Sequence, residues 1–432
     1  MHLLSLPRHR METTLSDYAR IFASLADPLL RRAPSRPSDS IADFEREFAD
    51  YLGCRHAIAV SSGRLGLHLI LDGIGLAPGD EAIVPAFNLF AVVERFCQLG
   101  LIPRFCDVRR GDLNIDAAAV ERSIGPRTKV LLATHMFGHP AEMDRLVDWA
   151  GRHQVILLED CAHALGSKYG ERFVGTFGKA AIFSFSVLKL VTTFGGGMIT
   201  TNDDELAATI RRRLTSLQLQ RGRTLGLKKA VTGALMDLGT RRLPFSFGAW
   251  PLLRILRAVR PDVQRRMMTE TPHADREFRP QRAPGFHPFQ ARLGRSQLRR
   301  VEQFIDRRRR VGQWLHEELT GIDEVTLLQP SATSAKGTFG RHNGLYYGIL
   351  VDRPEELSCY LFRRGIDSET SEYLNCADLE MYRGFYTDCP VAREVQSRIL
   401  RLPNYPDLSP RDVRRIGRTI REFYARPRVA NA

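Results

Sequence analysis

Lys189 stands in SFSVLKLVTTFGGGMITT (184–201), between apolar pairs and ahead of a Gly195-Gly196-Gly197 turn into another strand-like run. A buried ammonium group is costly unless it is paired, gives up its proton, or is consumed in a covalent bond. A stem lying along the surface with its head in water is the other reading of this lysine taken alone. Glu159-Asp160 ends the apolar run VILLED (155–160), and an acidic pair at such a place can equally cap a helix. Ser61-Ser62-Gly63 precedes a helical pattern, so its backbone N–H groups and the helix dipole form a candidate phosphate cradle. A strand-end aspartate, a lysine on a later strand-end loop and a phosphate cradle are together what pyridoxal phosphate chemistry requires. The carboxylate keeps the pyridine nitrogen protonated, while the lysine holds the aldehyde as an imine and then moves the proton.

The elements that must position these groups follow a regular order. IADFEREFADYLG (41–53) has helical spacing at Ile41, Phe44, Phe48, Tyr51 and Leu52, and Gly53 stops it. The runs AIAV (57–60), EAIVP (81–85), IPRFCDV (102–108), KVLLATH (129–135) and VILLED (155–160) alternate with amphipathic patterns such as AEMDRLVDWAGRH (141–153). Strands apolar on both faces between amphipathic helices predict a mostly parallel sheet flanked by helices, an α/β core running to about residue 205. Beyond it, 293–319 reads as one strong helix. The remainder, with LYYGILV and SPRDVRRIGRTIREF, reads as a smaller C-terminal α+β domain. The expected boundaries are an N-terminal arm (1–40), a large cofactor-binding domain (41–204), a basic insertion (205–282), and an interface helix with the C-terminal domain (283–432).

The chain has 432 residues, 43% of them apolar and 26% charged, the composition of an ordinary globular protein of two or three domains. Its seven cysteines are widely spaced, odd in number and form no CxxC, so neither a disulfide framework nor a zinc ribbon is readable. No stretch reaches the ~18 apolar residues of a membrane span, and the opening MHLLSLPRHR lacks a leader pattern. A cytoplasmic setting is the expectation. The net charge of +14 is local, because Arg211 to Arg282 holds 17 Lys/Arg against 5 Asp/Glu. No nucleic-acid recognition motif accompanies it.

Six stretches together resemble the DegT/DnrJ/EryC1/StrS family of sugar aminotransferases, within the type I fold of pyridoxal phosphate enzymes. They are VSSGRLGLHL (60–69), GDEAIVPAFNLFAVV (79–93), PRTKVLLATHMFGHPAEMD (126–144), the block 157–203, FQARLGRSQLRRVEQFIDRRR (289–309) and LRLPNYPDLS (400–409), in family order. The resemblance implies that Lys189 is the imine-forming base and Asp160 the partner of the pyridine nitrogen. It makes His163 the residue that approaches the cofactor ring and Ser184 a phosphate-binding hydroxyl, beside the turn Ser62, Gly63 and Arg64. A histidine packed on a helix and a structural strand serine are the plainer readings of His163 and Ser184.

Several positions depart from the family pattern. Arg64 replaces the usual threonine of the phosphate turn. Leu89 occupies the place of a ring-stacking aromatic, with Phe87 and Phe90 adjacent. Phe194-Gly195-Gly196-Gly197 lacks the usual glutamate, and Ala283-Pro284-Gly285 lacks the Asn-Tyr-Arg that reaches across a dimer to the phosphate, leaving Arg282 or His287 as the nearest polar substitutes. Glu372-Tyr373 replaces a His-Tyr near the substrate.

The resemblance implies an aminotransferase taking an amino group from glutamate and giving it to a keto-sugar, nucleotide-linked, in surface-polysaccharide or secondary-metabolite biosynthesis, and acting as a homodimer. A sugar dehydratase using the same cofactor is disfavoured by Lys189, which the family's dehydratases replace with histidine. A noncatalytic regulator or binding protein on the same fold is the competing class. In the insertion, Phe245, Phe247, Trp250, Leu252, Leu253, Ile255 and Leu256 lie among Arg241, Arg242, Arg254, Arg257 and Arg260. This pattern fits extra helices packed on the body, or a basic amphipathic element at 245–260 in peripheral contact with an anionic membrane.

Overall fold

Short apolar runs, buried on both faces, assemble into one sheet. In the computed structural model, which describes residues 4–26, 39–217, 219, 223–259, 279–280, 283–328, 340–370 and 372–426, its strands are β1 (His56–Val60), β2 (Glu81–Pro85), β3 (Ile102–Cys106), β4 (Thr128–Thr134), β5 (Ile156–Asp160), β6 (Ala180–Ser184) and β7 (Gly197–Thr201). The order across the sheet is β1-β7-β6-β5-β4-β2-β3. The strands from β3 to β6 run parallel, and β7 and β1 close one edge antiparallel. The mostly parallel sheet with flanking helices is therefore present. The register brings Thr134, Asp160, Ser184 and the β1 and β7 ends to one edge, because Asp160 pairs with Thr134 and Ile182, Ser184 with Gly197, and Gly197 with Val60. This is the carboxyl edge of the parallel strands, where open α/β sheets bind ligands.

The flanking helices are α1 (Leu15–Ala26), α2 (Asp39–Leu52), α3 (Gly63–Gly73), α4 (Phe90–Gln98), α5 (Ala117–Ser123), α6 (Met143–His153) and α7 (Asp204–Ser216). Helix α2 ends at Gly53, whose φ of +71° is the left-handed conformation that stops a helix at little steric cost.

The basic segment continues as α8 (Arg223–Thr240), a short irregular helical stretch over 242–249, and α9 (Trp250–Val259). It packs on the body in part. Trp250 lies with its ring centroid 4.0 Å from that of Phe362 and 5.8 Å from that of Phe245, and is buried. Arg242 pairs with Asp412 at 2.7 Å, Arg241 with Asp237 at 3.0 Å, and the Arg257 guanidinium stacks 3.8 Å over Phe362. An interfacial element with Trp250 in solvent and Arg241, Arg242 and Arg257 beside it is thus not what forms, because these residues find partners inside the chain. Another apolar side of the same segment does face solvent, with Phe247 66%, Ile255 63% and Val259 74% exposed. Arg260 lies outside the described residues.

The single helix expected over 293–319 is two. Helix α10 (Pro288–Leu298) ends at Arg299, and α11 (Val301–Leu319) starts after Arg300, which leaves helical geometry at φ −114° and ψ 2°. The C-terminal part adds the antiparallel sheet β8 (Val325–Leu327), β9 (Tyr347–Val351), β10 (Glu369–Thr370) and β11 (Ile399–Leu402) in the order β8-β9-β11-β10, with α12 (Pro354–Arg363), α13 (Pro390–Arg398) and α14 (Pro410–Tyr424). The described part of the N-terminal arm is docked on this sheet. Leu6 bonds to Gly365 through its backbone N–H, and Arg8 makes a buried ion pair with Asp367 at 2.8 Å.

Candidate functional site

Strand alternation divides the acidic pair between two tasks. Glu159 points into the body, where it accepts the backbone N–H groups of Gly175, Phe177 and Gly178, each at 2.7 Å, and stands 3.2 Å from His135 Nε2. It fixes the loop that follows β5. Asp160 faces a cavity of about 410 Å³ at the carboxyl edge of the sheet. One carboxylate oxygen accepts the Ala162 N–H at 2.9 Å. Burial pushes the Asp160 carboxyl above the usual range, against the pull of the Ala162 amide, Lys189 and His135. A carboxylate so placed is stabilised by a cation brought into the cavity.

Lys189 follows β6 on a turn in which its N–H donates to the Ser186 carbonyl at 3.1 Å, and its side chain lines the same cavity. It is half-buried. Among the described residues no carboxylate lies within 4.0 Å of its Nζ, and the nearest aromatic face is Tyr346, whose centroid is 5.7 Å away. A half-buried lysine with no carboxylate in ion-pair distance among the described residues, sharing a cavity with a buried carboxylate, has its amine open to a covalent partner.

The third wall is the start of α3. Ser62 is its N-cap and accepts the Leu65 N–H at 3.1 Å, so the first-turn amides beyond it point to the cavity. The turn is held close against β7, for a Cβ on Gly197 would stand 2.7 Å from the Gly63 nitrogen and 2.6 Å from the Phe183 carbonyl. Only glycine permits that approach. Ser184, at the end of β6, and Gly63 line the cavity with Arg64, which is exposed at its mouth.

His163 is held from both sides. The Phe137 N–H donates to Nδ1 at 3.3 Å, so the ring proton sits on Nε2 and is directed at the Tyr373 hydroxyl, 2.7 Å away. Burial, with Lys189 and Arg401, keeps the imidazole well below its usual pKa and therefore neutral. Glu372 and Tyr373 reach the cavity from the C-terminal part, and burial and Glu372 raise the Tyr373 hydroxyl well above its ordinary value.

All ten residues singled out in the sequence (Ser62, Gly63, Arg64, Leu89, Asp160, His163, Ser184, Lys189, Glu372 and Tyr373) line this one cavity. Leu89 does so as an aliphatic residue, and neither neighbour supplies a stacking ring. Phe87 and Phe90 are buried in the core, Phe87 against Tyr373. Phe194 turns away beneath α8, where its ring fills the space a Cβ on Gly233 would occupy. His287 is buried and caps α10, accepting the Phe289 N–H at 3.3 Å, so it is committed within its own chain. Arg282 lies outside the described residues. Sequence reasoning missed Asn88, Thr134, His135 and Tyr346. The first three sit at strand ends whose carboxyl edge was legible, and that position was the available signal.

The residues present fit pyridoxal phosphate. The under-compensated Asp160 carboxylate suits a protonated ring nitrogen, Lys189 suits the aldehyde, and the α3 amides with Ser184 suit a phosphate.

Comparison with known proteins finds relatives along most of the chain. The sequence profile of the DegT/DnrJ/EryC1/StrS aminotransferase family matches residues 29–236 and 286–421. A GDP-perosamine synthase of Caulobacter vibrioides is 43% identical over 171 residues, 40% of this chain and 46% of that protein. A GDP-perosamine synthase of Escherichia coli O157:H7 is 27% identical over 394 residues, 90% of this chain and 92% of that protein. Among solved structures, the aminotransferase TlmJ from Streptoalloteichus hindustanus superposes with a TM-score of 0.75 at 24% identity, covering 98% of this chain and 99% of that one. DesV of S. venezuelae superposes with a TM-score of 0.72 at 26% identity, covering 98% and 100%.

Proposed function

The chain belongs to the DegT/DnrJ/EryC1/StrS family and is an aminotransferase; from that premise we propose that it uses pyridoxal phosphate to move an amino group from glutamate to a keto-sugar carried on a nucleotide. The observation that carries the reading is Lys189, without a carboxylate partner, sharing one cavity with the buried Asp160. The names of its relatives, GDP-perosamine synthases, favour a nucleotide-linked sugar; a surface polysaccharide or secondary metabolite is the destination proposed for it.

Pyridoxal phosphate bound here supplies an electron sink for the pair left behind when the amine-bearing carbon loses its proton. Lys189 takes that proton on Nζ and returns it to the neighbouring position. Asp160 holds the proton of the ring nitrogen. The amides of the α3 start and the Ser184 hydroxyl bind the phosphate, and Arg64 adds positive charge at the mouth. His163, neutral and tied to Tyr373, orients the ring without competing for its charge. Glu372 and Tyr373 contact the sugar substrate.

The protein acts in the cytoplasm as a homodimer, with the interface beside this cavity. The solvent-facing aliphatic side of α8 and α9 supports a second element of the reading, a peripheral membrane contact. The decisive experiment is the visible spectrum of the purified protein. A cofactor band that glutamate bleaches and a keto-acid restores supports the reading; a colourless protein, or a band indifferent to amino donors, refutes it.

A further inference from the structure

A second cavity, of about 540 Å³, is lined by Tyr346, whose ring centroid is 5.7 Å from Lys189 Nζ. It lies between α11, β9 and the turn after β4. Four of its lining side chains each have a polar atom buried without a hydrogen-bond partner among the described residues: His139 Nδ1, His342 Nδ1, the Tyr347 hydroxyl and Asn404 Oδ1. His139 and Asn404 are more than nine-tenths buried. Buried polar atoms are normally paired, so four orphans on the residues around one space point to a polar occupant.

The charge around them is positive. Arg309 and Arg310 line the cavity, and among the described residues neither has a carboxylate within ion-pair distance. The acid on the wall, Asp306, is engaged by Arg341 at 3.1 Å. Burial pushes His139 down to about 3 and, with Arg309, His342 to about 4, so both imidazoles are neutral and each presents a donor and an acceptor. Their rings lie 4.9 Å apart.

We propose that this cavity binds a small phosphorylated sugar or polyol, with its phosphate at Arg309 and Arg310 and its hydroxyls among Asn404, His139 and His342. Guanidinium groups and the Tyr347 hydroxyl donate to phosphate oxygens. Asn404 Oδ1 can only accept, and its amide nitrogen is already given to the Gly344 carbonyl at 2.7 Å. A ligand with a phosphate at the arginines and hydroxyls at Asn404 satisfies both ends of the cavity at once. The volume suits a molecule of that size. The inference does not rest on the activity proposed above.

The test is calorimetric titration of the full chain, saturated with pyridoxal phosphate so that the phosphate turn of the first cavity is filled, with glucose 1-phosphate, inorganic phosphate and glucose as separate probes. Saturable binding of glucose 1-phosphate, at least tenfold tighter than either other probe, is expected. Arg309→Ala should weaken it at least tenfold and Tyr347→Phe about fivefold. Tyr347→Phe removes only an unpaired hydroxyl, so it folds as the parent does and keeps the test informative if Arg309→Ala does not. Absence of saturable binding overturns the site, as does parental affinity in Arg309→Ala and Tyr347→Phe. Inorganic phosphate binding as tightly as the sugar phosphate overturns the assigned ligand class.

Discussion

The His163 imidazole and the Tyr373 hydroxyl meet at 2.7 Å although 210 residues separate them in the chain. The Phe137 N–H on Nδ1 fixes which nitrogen bears the proton, so Tyr373 receives it and the ring cannot swing. A contact made by parts of the chain so far apart also ties Glu372, beside Tyr373, to the histidine of the same cavity.

Tyr373→Phe therefore removes the hydroxyl that receives the His163 proton and bonds Glu372, and leaves packing intact. A loss of about 1 kcal/mol corresponds to a five- to tenfold fall in kcat, with the near-ultraviolet dichroism preserved. A variant with parental turnover would show that His163 is positioned by Phe137 and the surrounding rings alone.

Lys189→Ala should abolish both borohydride trapping of the cofactor on the chain and the half-reaction with glutamate, while non-covalent binding persists through the α3 turn and Asp160. Peptide mapping of the reduced parent protein checks the attachment site. Label recovered on another lysine removes Lys189 from its role.

Asp160→Asn keeps the shape and the contact to Ala162 but discards the charge. Turnover should drop by two orders of magnitude or more, and because a buried, under-compensated carboxylate is neutralised, thermal stability should hold or rise slightly. Near-normal turnover in the folded variant would count against the assignment.

Lys189 and Asp160 were legible in the sequence because both sit where an apolar run ends, and strand ends of a parallel sheet collect at one edge. Glu159 was legible only as half of a pair; the alternation that turns it to Gly175, Phe177 and Gly178 needs the register of β5. The break between α10 and α11 was hidden because VEQFIDRRRR continues the helical spacing without glycine or proline. The side Trp250 takes was left open because α9 is apolar on two sides, and hydropathy alone does not say which of them meets Phe362. Tyr346 immediately precedes β9 of the C-terminal sheet, and nothing local in LYYGILV marks one tyrosine as facing Lys189.

Acid should weaken the fold early. Burial holds His9 down to about 4, His139 to about 3 and His342 to about 4, whereas the unfolded chain protonates near 6.5. The stability these neutral histidines provide is fully present above about pH 6.5 and is lost as pH falls toward 4, at about 1.4 kcal/mol per pH unit for each. Raised carboxyls such as Asp367 oppose this, so the histidine share is isolated by His342→Gln, which should flatten the slope by about one proton in urea unfolding between pH 7 and 5. Identical slopes in the two proteins would exclude His342 as a contributor.

The last expectation concerns α8 and α9. Phe247, Leu252, Ile255 and Val259 face solvent on the insertion, as do Leu227, Val231 and Leu235 on the preceding helix. Arg241, Arg242 and Arg257 are occupied by Asp237, Asp412 and Phe362, so they are not arrayed beside the apolar side. A membrane contact here would be driven by apolar insertion more than by attraction to anionic lipid, which otherwise contributes roughly 1 kcal/mol per basic residue near the surface. Co-flotation with liposomes should accordingly survive a rise in salt and be abolished by Phe247→Ser with Ile255→Ser. Strongly salt-sensitive flotation would assign the contact to other basic residues, and no flotation at any salt would eliminate the membrane reading. If the double variant instead changes the sedimenting species from dimer to monomer, the exposed side is the surface on which a second copy docks.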